Sequence, residues 1–271
     1  MRMHVLILVC LLFTSSLVEA VEYRTLKPSV DEMTRQFEAV VFGTEFQNRS
    51  RITRIKKWVG PLRVAVKTYI DVPGKDDAAK LKFQQIAVNP IHLAYVQKHL
   101  STLARLTGLE TEDFKTTQKS ANYTIKIVPG TRLTDPDLVK AVNPKLLRKV
   151  GAQGGCYFLT WHNDDTGHIE RVEIIVNADR SNVKTEHCLL EEMAQSLGLF
   201  NDVRSDWNTI FSNTDPIHSR SSSNQVIVSL PRPDRIIIKA LYDRRLKPDM
   251  EREKVMALAR KIIGEIDRTM P

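Results

Sequence analysis

The chain has 271 residues, 42% hydrophobic and 27% charged, the balance of a soluble globular protein with enough length to bury a real core. Its formal charge is +8, but Lys and Arg are scattered, and no compact basic patch with interleaved aromatics marks a nucleic-acid interface. The excess charge serves solubility, and an anionic surface is the non-specific partner it would meet.

Only the N-terminus resembles a membrane segment. Arg2 gives a positive start, Val5 to Phe13 is apolar, and Val18-Glu19-Ala20 supplies small-residue cleavage chemistry. The apolar run is too short to span a bilayer, so it reads as a signal peptide cleaved after Ala20, leaving no transmembrane span. A lipoprotein reading through Cys10 is poorer, because the larger Val9 precedes it. The expected location is periplasmic or secreted. Removing the segment leaves Cys156 and Cys188, an even pair that an oxidising compartment turns into a disulfide.

In chain order, Val30 to Phe46 carries Met33, Phe37, Val40 and Val41 at helical spacing. Residues 21–57 read as an N-terminal helical extension, ahead of a main domain at 58–271. Leu62 to Ile70 alternates and predicts a strand. Pro73 to Asp77 is a loop. Pro90 to Leu106 is a helix with proline in its first turn. Ala121 to Val128 is a strand, stopped by Pro129-Gly130. Residues 131–150 read as a short helix with loops. Gly155 to Trp161 and Glu170 to Asn177 form a hairpin around a polar turn bounded by His162 and His168.

A helix from Asn182 to Leu197 follows, with Ser181 or Asn182 as its N-cap and Gly198 at its left-handed end. Ser212 to Asn224 is a Ser/Asn-rich loop. Arg235 to Arg244 and Glu251 to Asp267 are terminal helices, split by Leu246-Lys247-Pro248. The order predicts an α+β fold, a mixed sheet packed against helices, with C-terminal helices.

The chemistry concentrates in the Asn182–Leu197 helix and the turn after it. At about 100° per residue, Leu190, Met193, Ala194 and Leu197 form one apolar stripe. Glu191 and Gln195 share its flank one turn apart. Glu192 points further round, so adjacent Glu191 and Glu192 diverge by about 100° and make a poor carboxylate dyad. His187, four residues before Glu191, pairs with it as an ordinary i, i+4 neighbour.

Glu191-Glu192-Met193-Ala194-Gln195-Ser196-Leu197-Gly198-Leu199-Phe200-Asn201-Asp202 resembles the frame H-E-x-x-H-x-x-G-x-x-H of metzincin-type zincins. In that frame i and i+4 histidines converge on one metal, and a glutamate polarises its water. Glu192 stands at the general-base position and Gly198 at the glycine. Glu191, Gln195 and Asn201 stand where histidines belong. These are oxygen donors, which zinc disfavours and which would suit calcium better, with Asp202 added. No methionine lies between Met193 and Met250 for the Met-turn of such enzymes. The resemblance implies a zincin-like domain whose zinc chemistry is lost. It implies no cofactor, with a divalent metal on Glu191, Gln195 and Asn201 as the exception.

Cys188 to Asp202, Ile210-Phe211-Ser212-Asn213 and Leu241-Tyr242-Asp243-Arg244-Arg245-Leu246-Lys247-Pro248 also resemble a family of uncharacterised bacterial exported proteins, domain of unknown function 2927. That family has no established activity to carry over. The expected function is a non-catalytic cell-envelope binding module that takes an envelope ligand or protein through Glu191, Gln195, Asn201 and Asp202. The alternative is an unusual hydrolase of peptide or glycan using Glu192.

Overall fold

A computed structural model describes residues 27–43, 52–74, 81–113, 119–139, 143–152, 155–205, 207–212 and 226–271. The signal-peptide reading, with Cys10 and Ala20, and the Ser/Asn-rich stretch from residue 213 on lie outside these residues.

Helix α1 (Val30–Phe42) starts where the sequence places it, because Ser29 and Glu32 form a reciprocal capping box. The Glu32 amide donates to Ser29 Oγ, and the Ser29 amide donates to Glu32 Oε2, satisfying two otherwise unpaired donors. Its face of Met33, Phe37, Val40 and Val41 is buried. Strand β1 (Leu62–Pro73) follows, then β2 (Leu81–Ile86) and α2 (Pro90–Thr107). Asn89 caps α2, Pro90 opens it, and Gly108 ends it at φ +73°.

Strands β3 (Thr111–Asp113) and β4 (Tyr123–Val128) lead to a 3-10 turn at Gly130–Arg132 and to α3 (Pro144–Gly151). The hairpin β5 (Cys156–His162) and β6 (Ile169–Asn177) then feeds α4 (Asn182–Gln195), and α5 (Arg232–Leu241) and α6 (Arg252–Thr269) finish the fold.

The strands form one mixed sheet in the order β2-β1-β4-β6-β5, with β3 pairing the start of β1. The pairs β1–β4 and β4–β6 are parallel; β1–β2 and β5–β6 are antiparallel. One face packs on the main core. Ile125, Ile127, Val172, Ile174 and Val176 meet Leu189, Leu190, Met193 and residues of α1, α5 and α6 there. The other face carries a smaller cluster of Val128, Leu133, Leu147, Tyr157 and Ile175, roofed by α3 and the segment before it. The α+β class is therefore observed, and helices cover the sheet as the chain order predicts.

The periodicity of the chain does not predict β2 and β3. Strand β2 is exposed at five of its six positions. An edge strand without a buried face carries no period-2 apolar signal, so only its pairing with the second half of β1 identifies it. Helix α5 begins at Arg232, three residues ahead of its expected start. Pro233 in its first turn fixes a helical φ there and has no amide to leave unpaired. Among the described residues no helix is long and apolar enough to cross a membrane.

Candidate functional site

The expected stripe of Leu190, Met193, Ala194 and Leu197 is essentially inaccessible, and Leu189 beside it is buried as well. Each buried leucine or methionine here stabilises the fold by about 1.5–3 kcal/mol relative to exposure. The Ser181 position caps the helix in extended geometry, without a side-chain bond.

The C-terminal turn of α4 is gripped from three directions. Trp58 Nε1 donates to the Ser196 carbonyl at 3.1 Å, and Tyr242 Oη donates to the Leu197 carbonyl at 2.9 Å. Ser196 Oγ donates to the Met193 carbonyl and lies 2.8 Å from Tyr123 Oη. Burial pushes the Tyr123 and Tyr242 phenols well above their usual range, so both stay protonated donors. Behind Tyr242, Lys57 Nζ lies 5.3 Å from its ring centroid and donates to the Leu241 and Leu246 carbonyls. Burial, aided by the charge of Lys247, lowers the Lys57 ammonium to about 8 against the opposing pull of Asp243. Gly198 follows at φ +113°. This places a positive-φ residue at the helix end, as the sequence suggests.

The side chains at the histidine positions have distinct partners. Gln195 is buried, and its Nε2 donates to Asp202 Oδ1. Asn201 Nδ2 donates to the Ala39 carbonyl near the end of α1, at 3.2 Å. It also lies close over Gly43, where an added Cβ would collide with it. Glu191 Oε2 lies 3.6 Å from His187 Nε2, the i, i+4 pairing read from spacing. His187 Nδ1 in turn faces the Ile227 carbonyl at 2.7 Å, an acceptor that only a protonated Nδ1 can serve.

Cys156 and Cys188 form the expected disulfide, with Cα atoms 5.9 Å apart. It ties β5, the terminal strand of the described sheet, to α4. Cys188 is fully buried and Cys156 half-buried. Arg180 Nη1 lies 2.9 Å from Cys188 Sγ.

Glu191 and Glu192 come together in a way the helical wheel does not anticipate. Ligating atoms of Cys156, Glu191 and Glu192 all lie within 4.8 Å of one another. The long glutamate side chains close the angle between adjacent Cα–Cβ directions by bending toward the disulfide. Glu192 is only 6% exposed, and its charge is felt at Tyr123. The arrangement sets two carboxylates beside the first residue of β5, negative charge that attracts a cationic group. As a metal centre it is incomplete, because a disulfide sulfur is not the thiolate that metals take.

Three features escape the sequence reading: the Glu191–Glu192 approach, Arg180 beside the bridge, and the Trp58–Tyr123–Tyr242 clasp. The polar tips of the aromatics are the one advance signal, since buried Trp and Tyr usually find a hydrogen-bond partner.

A family model described as "Protein of unknown function (DUF2927)" matches residues 30–261. No curated protein and no solved structure gives a match.

Proposed function

The chain belongs to the family of proteins of unknown function DUF2927, and we propose that it is an exported cell-envelope protein that binds an extended peptide segment without cleaving it. In this reading an N-terminal helical extension, residues 21–57, leads into a degenerate zincin-like domain, residues 58–271. The element order β1, α2, β4, hairpin β5–β6, α4 supports the zincin-like assignment. The disulfide supports export, since such bridges persist in oxidising compartments.

The observation that carries the binding reading is the setting of β5. It ends the described sheet, and its first residue is bridged to α4 beside the Glu191 and Glu192 carboxylates. An edge strand offers a row of backbone donors and acceptors to an added strand. The two carboxylates favour a basic side chain on whatever pairs there. Gln195 and Asn201, engaged by Asp202 and Ala39, then serve to shape the floor. No histidine stands at a metal position to activate water.

A second reading is hydrolysis of peptide or glycan by Glu191 and Glu192 as an acid/base pair. The proximity of their oxygens, within 4.8 Å, is the observation in its favour. One experiment separates the two. The purified chain is incubated with ten-residue peptides of basic, neutral and acidic composition, and the peptides are weighed afterwards. Selective retention of basic peptides at intact mass is the expected result. Fragment masses would establish hydrolysis instead, and charge-independent retention would overturn the groove assignment.

A further inference from the structure

We infer that the Cys156–Cys188 bridge masks a zinc site, so that these two cysteines with Glu191 and Glu192 hold either a disulfide or a metal ion. Three of the four donors are already together. Cys156 Sγ and carboxylate oxygens of Glu191 and Glu192 lie within 4.8 Å of one another. Cys188 Sγ is bonded directly to Cys156 Sγ. Cleaving one bond therefore frees a second sulfur beside that trio and brings the donors to four, the number that zinc takes, once Cys188 Sγ turns toward the carboxylates.

The four donors come from only two elements, β5 and α4, which pack on a common core. Reduction thus leaves their backbones placed by burial rather than by the bridge. Zinc needs ligands at roughly 2.0–2.3 Å, so neighbouring donors must draw in from the present spread. The glutamates can do this by side-chain rotation, Glu191 exchanging its contact with His187 for the metal. Thiolates select zinc over calcium or magnesium, which prefer all-oxygen sites.

Charge and access fit the same assignment. Two thiolates and two carboxylates around a divalent ion leave two negative charges. The Arg180 guanidinium, 2.9 Å from Cys188 Sγ, offsets one of them and favours the Cys188 thiolate. Cys156 and Glu191 are half-buried rather than sealed, which leaves an ion a way in. Glu192 and Cys188 are buried, which keeps water out of the inner side.

The step balances as ordinary thiol–disulfide exchange. A dithiol reductant gives two electrons and two protons to the bridge and leaves as its own disulfide. The attacking thiolate reaches the half-buried Cys156, and Cys188 departs as the thiolate beside Arg180. Zinc then displaces the thiol protons. This inference is independent of peptide binding, and its readout is metal content.

The test compares the oxidised chain with the chain reduced by a phosphine under anaerobic conditions, each titrated with zinc against a chromophoric chelator. The expected result is one zinc per reduced chain and none per oxidised chain. The circular dichroism spectrum should be unchanged, and cobalt in place of zinc should show a thiolate charge-transfer band. Glu191→Gln and Glu192→Gln should each weaken zinc at least tenfold while leaving the disulfide intact in the oxidised form. Equal affinity in the glutamate variants would reduce the site to simple dithiol capture and overturn it. So would absence of uptake, or a reduced chain that unfolds and does not refold with zinc.

Discussion

Gly198 packs its Cα directly against the carbonyl oxygen of Lys56, and a Cβ at this position would overlap that oxygen. Its φ of +113° is also one that L side chains rarely adopt. The glycine that the sequence suggested as a helix terminator thus also lets the segment before β1 close over the end of α4. Gly198→Ala should destabilise the protein by about 3 kcal/mol or more, from backbone strain plus displacement of the Lys56 segment. Urea denaturation measures this, and a loss under 1 kcal/mol would show that the turn relaxes freely.

The disulfide closes a loop across a sequence separation of 32. On the chain-entropy model it contributes about 3–4 kcal/mol. Titration of the unfolded, unreduced protein should find no free thiol from Cys156 or Cys188. The Cys156→Ser, Cys188→Ser double variant should lose stability by about that amount.

Gln195 and Asp202 are expected to act as one unit. A buried amide donating to a carboxylate is worth about 1.5–3 kcal/mol, so Gln195→Ala should lower stability by that order. A double-mutant cycle with Asp202→Ala should show coupling above 1 kcal/mol. Additive losses would mean that the bond contributes little in solution.

Asp234 gives the protein an unusual pH dependence. It is fully buried at the start of α5, where it accepts from Thr209 Oγ1 and the Ile210 amide. Gln36 Nε2 donates to the same Thr209 hydroxyl. Burial raises the Asp234 carboxyl from 3.8 to about 7, against the lowering effect of those two hydrogen bonds. The folded state therefore holds this proton more tightly than the unfolded state. Its stabilising contribution is complete below pH 4 and is lost as pH rises through about 7, on the order of 4 kcal/mol. Asp234→Asn should flatten this slope. The difference between wild type and variant at pH 5 and pH 7.5 isolates it from other carboxylates.

Much of this architecture is legible in the chain. The α4 stripe, the β5–β6 hairpin and the cysteine pair follow from periodicity, turn chemistry and even cysteine count. What is hidden depends on long-range contacts. Asn201 meets Ala39, 162 positions away, and Trp58 meets Ser196, 138 positions away; no local pattern encodes such pairs. The Glu191–Glu192 approach is hidden for a different reason. A helical wheel fixes Cβ directions but not the three further torsions of a glutamate, and here those torsions bring the carboxylates together. The frame's spacing likewise places Gln195 and Asn201 along the chain but not the partners that engage them, Asp202 and the Ala39 carbonyl.

The most direct measurement is a calorimetric titration of a basic extended peptide into the wild-type chain and into Glu191→Lys. Saturable one-to-one binding to wild type, with the peptide recovered intact, and a loss of at least tenfold in the variant are expected. Equal binding by both proteins, or a peptide recovered as fragments, would contradict the proposed binding.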